Sequence, residues 1–191
     1  MKVSIILEKD KLENIINGCL KGKPKSQEQL YQHFYGYAMS ICLRYANNEA
    51  DAVEILNDGF LKVFTNINKH DSAQSFKAWL RRIIINTAID HYRKTKTKLT
   101  TYELDESVEN SSSVTTDLEI DKEEILLMVQ QLPPAYNMVF NLYVIEGFAH
   151  KEIAQMLKIT ESTSRSHLTT ANAKLREMLK KKTRILVRHG R

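Results

Sequence analysis

Only three prolines and six glycines punctuate a chain of 191 residues. Proline removes a backbone donor and glycine disfavours regular structure, so long stretches without either leave helices free to run. Within those stretches, apolar residues return every three or four positions. Leu30, Phe34, Tyr37, Ala38, Ile41, Cys42 and Tyr45 form one stripe, and Ala52, Ile55, Leu56, Phe60, Val63 and Phe64 a second. Phe76, Trp79, Leu80, Ile83, Ile84, Thr87 and Ala88 form a third. Each stripe has the period of a helix with one buried face. An all-α fold is therefore expected, with these three helices sharing one core that includes Trp79.

The pattern stops between Thr95 and about Asp121, where Lys-Thr repeats give way to Ser111-Ser112-Ser113, Thr115-Thr116 and a run of carboxylates. A segment so poor in large apolar groups cannot offset its ordering entropy, and it reads as a flexible, self-repelling linker. Charge follows the same division. Residues 1–98 hold sixteen basic against ten acidic side chains, residues 99–124 one against nine, and residues 125–191 eleven against four. Two basic modules separated by an acidic segment suggest two surfaces drawn to polyanions. The expected boundaries are 20–98, 99–121 and 122–185.

Cys19 and Cys42 have the spacing of neither a zinc site nor a redox pair, so both read as buried small residues and no metal is expected. The apolar run Val3–Leu7 is too short for a signal sequence, and no run approaches the ~18 apolar residues of a membrane span. A cytoplasmic protein without membrane insertion is the expectation.

Residues 150–176 have the organisation of a helix-turn-helix. Glu152 to Leu157 supply the first helix, with Ala154 small enough for close helix approach. Lys158-Ile159-Thr160 supply the turn, with Thr160 as N-cap, and the second helix begins at Glu161. Its polar face would carry Ser162, Arg165, Ser166, Thr169 and Thr170, groups able to contact phosphates or base edges in a major groove.

The strings Asp51–Phe64, Ser75–Ile83 and Asn86–Lys94 resemble conserved region two of bacterial sigma factors. Leu132-Pro133-Pro134-Ala135-Tyr136, Val139-Phe140, Leu142-Tyr143, Glu146-Gly147 and Glu152-Ile153-Ala154 resemble region four. Both in this order, with no room for the other sigma regions, make the chain similar to the small extracytoplasmic-function group. The resemblance implies that one helix face binds core RNA polymerase, and Glu54, Asn57, Asp58 and Leu61 fall on one face at i, i+3, i+4 and i+7. It also implies capture of the unpaired minus-ten strand, for which His70, Lys77, Arg81, Arg82, Asn86, Arg93 and Lys94 offer a stacking ring, cations and one base-reading amide. At His70 the family often has another aromatic ring, and Asp71-Ser72 replace its usual Arg-Gly.

For the upstream minus-thirty-five element the resemblance points to Arg165, Ser166, His167, Thr169 and Thr170. Lys158 stands where the turn usually has glycine and Ser164 where valine is usual. Thr170 and Asn172 replace arginines, which implies fewer phosphate contacts and weak autonomous DNA binding. Further implications are that the acidic linker threads the RNA exit path and that an anti-sigma protein holds the chain inactive. The expected function is to direct core polymerase to promoters and promote DNA opening, without catalysis and without a cofactor. A regulator that binds duplex DNA and never joins polymerase is the alternative. A hydrolase or nuclease is disfavoured, because no carboxylate cluster, nucleophile triad or phosphate-cradling glycine loop occurs.

Overall fold

The computed structural model describes the backbone of residues 2–99 and 122–189, with side chains placed over 11–96 and 125–182. The segment expected to be a flexible linker lies, beyond Leu99, outside the described residues. Helices account for the described elements, and no strand occurs among them. The chain divides into two compact units, residues 1–43 with 48–88 and residues 44–47 with 89–191.

The first unit opens with helix α1 (Lys2–Leu20). Leu12, Ile15, Ile16 and Cys19 lie at i, i+3, i+4 and i+7, the helical signature that this segment carries in its sequence. Gly22 ends it at φ +67°, and the Lys23 and Gly22 amides return to the carbonyls of Gly18 and Cys19 at 3.1 and 2.9 Å. This Schellman arrangement satisfies carbonyls that the helix would leave orphaned. Helix α2 (Pro24–Tyr45) follows, with proline at its first position, where no amide partner is needed.

Helix α3 (Glu49–Asn66) is set by Asn48, whose side chain accepts from the Asp51 amide at 2.8 Å. Glu49 and Asp51 in its first turn complement the helix dipole. A 3-10 turn (Ile67–Lys69) leads through a loop to helix α4 (Phe76–Leu99). Leu30, Phe34, Ala38, Ile41, Ala52, Ile55, Leu56, Phe60, Val63, Phe76, Leu80 and Ile84 are all buried, so the three stripes meet in one core. Gly59 lies where α3 crosses α4, and a methyl group there would collide with Ile84 Cδ1. The stripe on α4 is displaced from expectation. Ile84 and Ile85 are buried, while Ile83 and Trp79 are only half-buried. Trp79 thus lies at the edge of the core and not within it.

The second unit contains α5 (Lys122–Gln130), α6 (Pro134–Phe140), a π-helical turn (Asn141–Ile145), α7 (His150–Leu157) and α8 (Glu161–His189). Val129, Leu132, Met138, Val139, Leu142, Ile153, Leu157 and Ala171 are buried there. Asn137 and Asn141 are buried too, and each is satisfied. Asn137 Nδ2 donates to the Val129 carbonyl at 2.8 Å, and Asn141 Nδ2 reaches the Asn137 carbonyl and side chain, both at 3.1 Å. Buried amides need such partners, since an unpaired one loses its hydration with no return.

Candidate nucleic-acid and polymerase interfaces

Three surfaces carry the residues singled out in the sequence. On α3, Glu54 and Asn57 are exposed, Asp58 is half-buried and Leu61 is 65% exposed. Val53, also exposed, adjoins Glu54 one turn before Asn57. The face therefore alternates apolar ends with carboxylate and amide groups, which suits a partner that is basic and partly apolar. One contributor was missed in the sequence. The Tyr31 hydroxyl on α2 donates to Asn57 Oδ1 at 3.4 Å, and its ring packs on Phe60 at 4.6 Å between centroids. Burial, then the neighbouring Tyr35, push the Tyr31 hydroxyl above its ordinary pKa. It stays a donor at neutral pH, within reach of the Asn57 amide oxygen.

The second surface is a groove of about 230 Å³ lined by Lys62, Asn66, Lys69, Trp79, Ile83 and Asn86. It brings an indole, two carboxamides and two ammonium groups together. Of these, only Asn86 was singled out as a contact. Asn66 Nδ2 donates to the Lys62 carbonyl at 2.9 Å, and Lys69 Nζ donates to Asn66 Oδ1 at 2.8 Å, so the chain's own hydrogen bonds order one wall. His70 does not stand free. Its ring packs at a steep angle on Phe76 and Trp79, at 5.2 and 5.3 Å, and its Nε2 is buried without a hydrogen-bond partner.

The cations of α4 divide between faces. Arg82 and Asn86, four residues apart, are exposed on the groove side, whereas Lys77 and Arg81 follow another face, with Lys77 Nζ 4.3 Å above the Tyr37 ring. Farther along, in the part of α4 that clusters with the second unit, Arg93 is half-buried and paired with Asp90 at 3.6 Å, and Lys94 is exposed.

The third surface is the helix-turn-helix, α7 and α8. Glu152 accepts from the Ala149 amide at 2.8 Å and so anchors the start of α7. Lys158 ends it in the left-handed region at φ 52°, ψ 48°, with the Ile159 amide bonding the Ala154 carbonyl at 3.0 Å. Thr160 then caps α8, its Oγ1 accepting from the Thr163 amide at 3.0 Å.

Ser164 is fully buried, and its hydroxyl is paired with His150 Nδ1 at 2.9 Å. The His150 ring in turn stacks on Tyr143, with centroids 4.5 Å apart. Ser162, Arg165, Ser166 and Thr169 are exposed along α8, and Thr170 is half-buried. His167 turns inward, its ring edge-on to Tyr136 at 5.2 Å. Its Nδ1 is buried without a hydrogen-bond partner, and burial holds its pKa below the ordinary histidine value. Arg165 is ion-paired with Glu161, a residue the sequence reading passed over. Among the described residues no group of His, Cys, Asp and Glu side chains could hold a metal ion, and no helix is long and apolar enough to cross a membrane.

The Sigma-70 region 2 profile matches residues 30–98, and the Sigma-70 region 4 profile matches residues 122–175. The chain is 26% identical over 155 residues to the ECF RNA polymerase sigma factor SigW of Bacillus subtilis, covering 73% of this chain and 81% of that protein. It is 24% identical over 186 residues to the ECF RNA polymerase sigma-E factor of Salmonella typhimurium, covering 91% and 95%. A solved sigma factor RpoE from Bartonella quintana, in complex with its anti-sigma factor NepR, matches with a TM-score of 0.49 at 19% identity, over 80% of this chain and 96% of that one. With both conserved regions present in order, the chain belongs to the sigma-70 family, in its extracytoplasmic-function group, and is a sigma factor that directs RNA polymerase to promoters.

Proposed function

We propose that the work is divided among the three surfaces. The α3 face of Glu54, Asn57, Asp58 and Leu61, steadied by Tyr31, binds core polymerase. The groove beside α4 receives a base of the melted minus-ten strand, with Trp79 as stacking platform, Asn86 and Asn66 as edge readers, and Lys62 and Lys69 facing the backbone phosphates. Arg82, Arg93 and Lys94 add cationic contacts along α4, and Lys77 and Arg81 add them on its other face. Arg165, Ser166 and Thr169 read the minus-thirty-five duplex. Thr170 and His167, set deeper, support that surface.

The observation that carries this reading is the groove. At about 230 Å³ it sets hydrogen-bonding amides and cations beside an aromatic wall. Stacking supplies about 1–3 kcal/mol per base in single-strand sites. The chain works by binding alone, without a cofactor and without catalysing a reaction, in the cytoplasm where polymerase acts. An anti-sigma protein that covers both modules would keep it inactive, as the family resemblance implies. The modules fall at 20–98 and 122–185, joined by the acidic segment 99–121.

Run-off transcription from a promoter library, with purified chain and core polymerase, tests the reading. Transcripts should require the wild-type chain and disappear with Asp58→Arg, which reverses charge at the polymerase face. If no transcript forms and the chain does not co-purify with core, yet still shifts duplex DNA, the proposed division of work is wrong.

A further inference from the structure

We propose that Glu161 is a specificity-determining residue of the upstream-element reader, selecting a cytosine beside the base contacted by Arg165. The inference rests on the reading of α8 as the helix that enters the major groove. Glu161 is the first residue of that helix, and the N-terminal residues of such a helix approach the base edges most closely. A carboxylate there complements the helix dipole in the free chain but is repelled by the phosphate backbone, so on entering a groove it needs a hydrogen-bond donor. In the free chain that donor is Arg165, one turn along.

Both side chains are well exposed, 42% for Glu161 and 61% for Arg165. Such an exposed pair is weak, and the carboxylate can exchange its partner on entering the groove. The amino group of cytosine is the donor a carboxylate recognises there, while guanine offers the O6 and N7 acceptors that a guanidinium takes in bidentate fashion. Acceptor and donor fork, held side by side on one helix face, therefore match a cytosine next to a guanine.

The test uses holoenzyme assembled from the full chain and core polymerase, competing for promoters randomised across the upstream element. Wild type should favour cytosine over the other bases by about fivefold or more at one position, in line with one good side-chain-to-base contact. Glu161→Ala should abolish that preference and leave the others. Glu161→Gln should move it to adenine, because a carboxamide pairs with adenine N6 and N7. A misfolded helix could not produce that gain.

If Glu161→Ala strengthens binding equally across all sequences, the carboxylate only neutralises Arg165 and the proposal fails. It fails equally if no preference changes. If Arg165→Ala leaves discrimination intact at every position, α8 is not the reader, and the underlying assignment falls together with the proposal.

Discussion

Lys158 in the turn between α7 and α8 should be the easiest place to stabilise this protein. Its φ of 52° and ψ of 48° lie in the left-handed region, where a side chain crowds the following carbonyl at a cost of about 1–2 kcal/mol. Glycine removes that strain but loses roughly 0.5–1 kcal/mol more conformational freedom on folding than alanine does. The difference predicts that Lys158→Gly stabilises the second unit by about 0.5–1 kcal/mol.

For a domain of this size, 1 kcal/mol moves the melting point by about 4–8 °C. The chain has a single tryptophan, Trp79, in the first unit. Tryptophan fluorescence therefore follows that unit, and far-UV circular dichroism follows both. Urea unfolding of Lys158→Gly, followed by circular dichroism, should show its transition moved to higher denaturant. Lys158→Val should shift the same transition the opposite way, since a β-branched residue is least tolerant of positive φ. A neutral or destabilising Lys158→Gly would refute the reasoning, because it would mean the lysine side chain contributes more than its backbone strain removes.

Thr160→Ala should destabilise the same unit by about 1 kcal/mol through loss of the cap on α8, readable in the same urea curves, whereas Thr160→Ser should be nearly silent. Gly59→Ala should cost a net of about 0.5–2 kcal/mol, the displacement of the buried Ile84 Cδ1 outweighing the conformational freedom that a helical glycine loses, and here the fluorescence transition should move. Burial lowers the pKa of His167, so the unfolded chain binds the proton more tightly than the folded one. The second unit should hold its full stability above the ordinary histidine pKa and lose it as pH falls from there toward the lowered folded value. His167→Gln should flatten that slope in melts taken across this range.

The helical stripes were legible because burial imposes a period that survives in sequence. Leu30, Phe34, Ala38, Ile41, Ile55, Leu56, Phe60 and Val63 sit inside as their spacing requires, with Tyr37 half-buried at the margin. The turn at Lys158-Ile159-Thr160 was equally readable, since capping chemistry is local. The groove was not. Lys62, Asn66 and Lys69 lie on a different element from Trp79 and Asn86, and only the crossing of α3 and α4, permitted by Gly59, brings them together. Trp79 illustrates the ambiguity of an aromatic in a stripe, because a residue at the margin has the same period as one in the centre. Tyr31 escaped notice for a related reason. Its role depends on the angle between α2 and α3, which neither helix encodes alone. Glu161 was hidden by its sign, one of four carboxylates in a basic module drawn to polyanions.

The π-helical turn at Asn141–Ile145 works as a phase shifter. The Glu146 amide bonds the Asn141 carbonyl at 3.0 Å, five residues back instead of four, so the turn holds one residue more than α geometry allows. Each residue advances an α-helix by 100°, and the surplus leaves Tyr143, Val144 and Ile145 consecutively exposed while Asn141 and Leu142 remain inside. Removing a single residue here would restore the four-residue spacing at the end of the helix and leave the loop that leads to α7 one residue shorter. A stretch that looks like an imperfection in a helix is thus a gear tooth, and the helix-turn-helix tolerates substitution there far better than deletion.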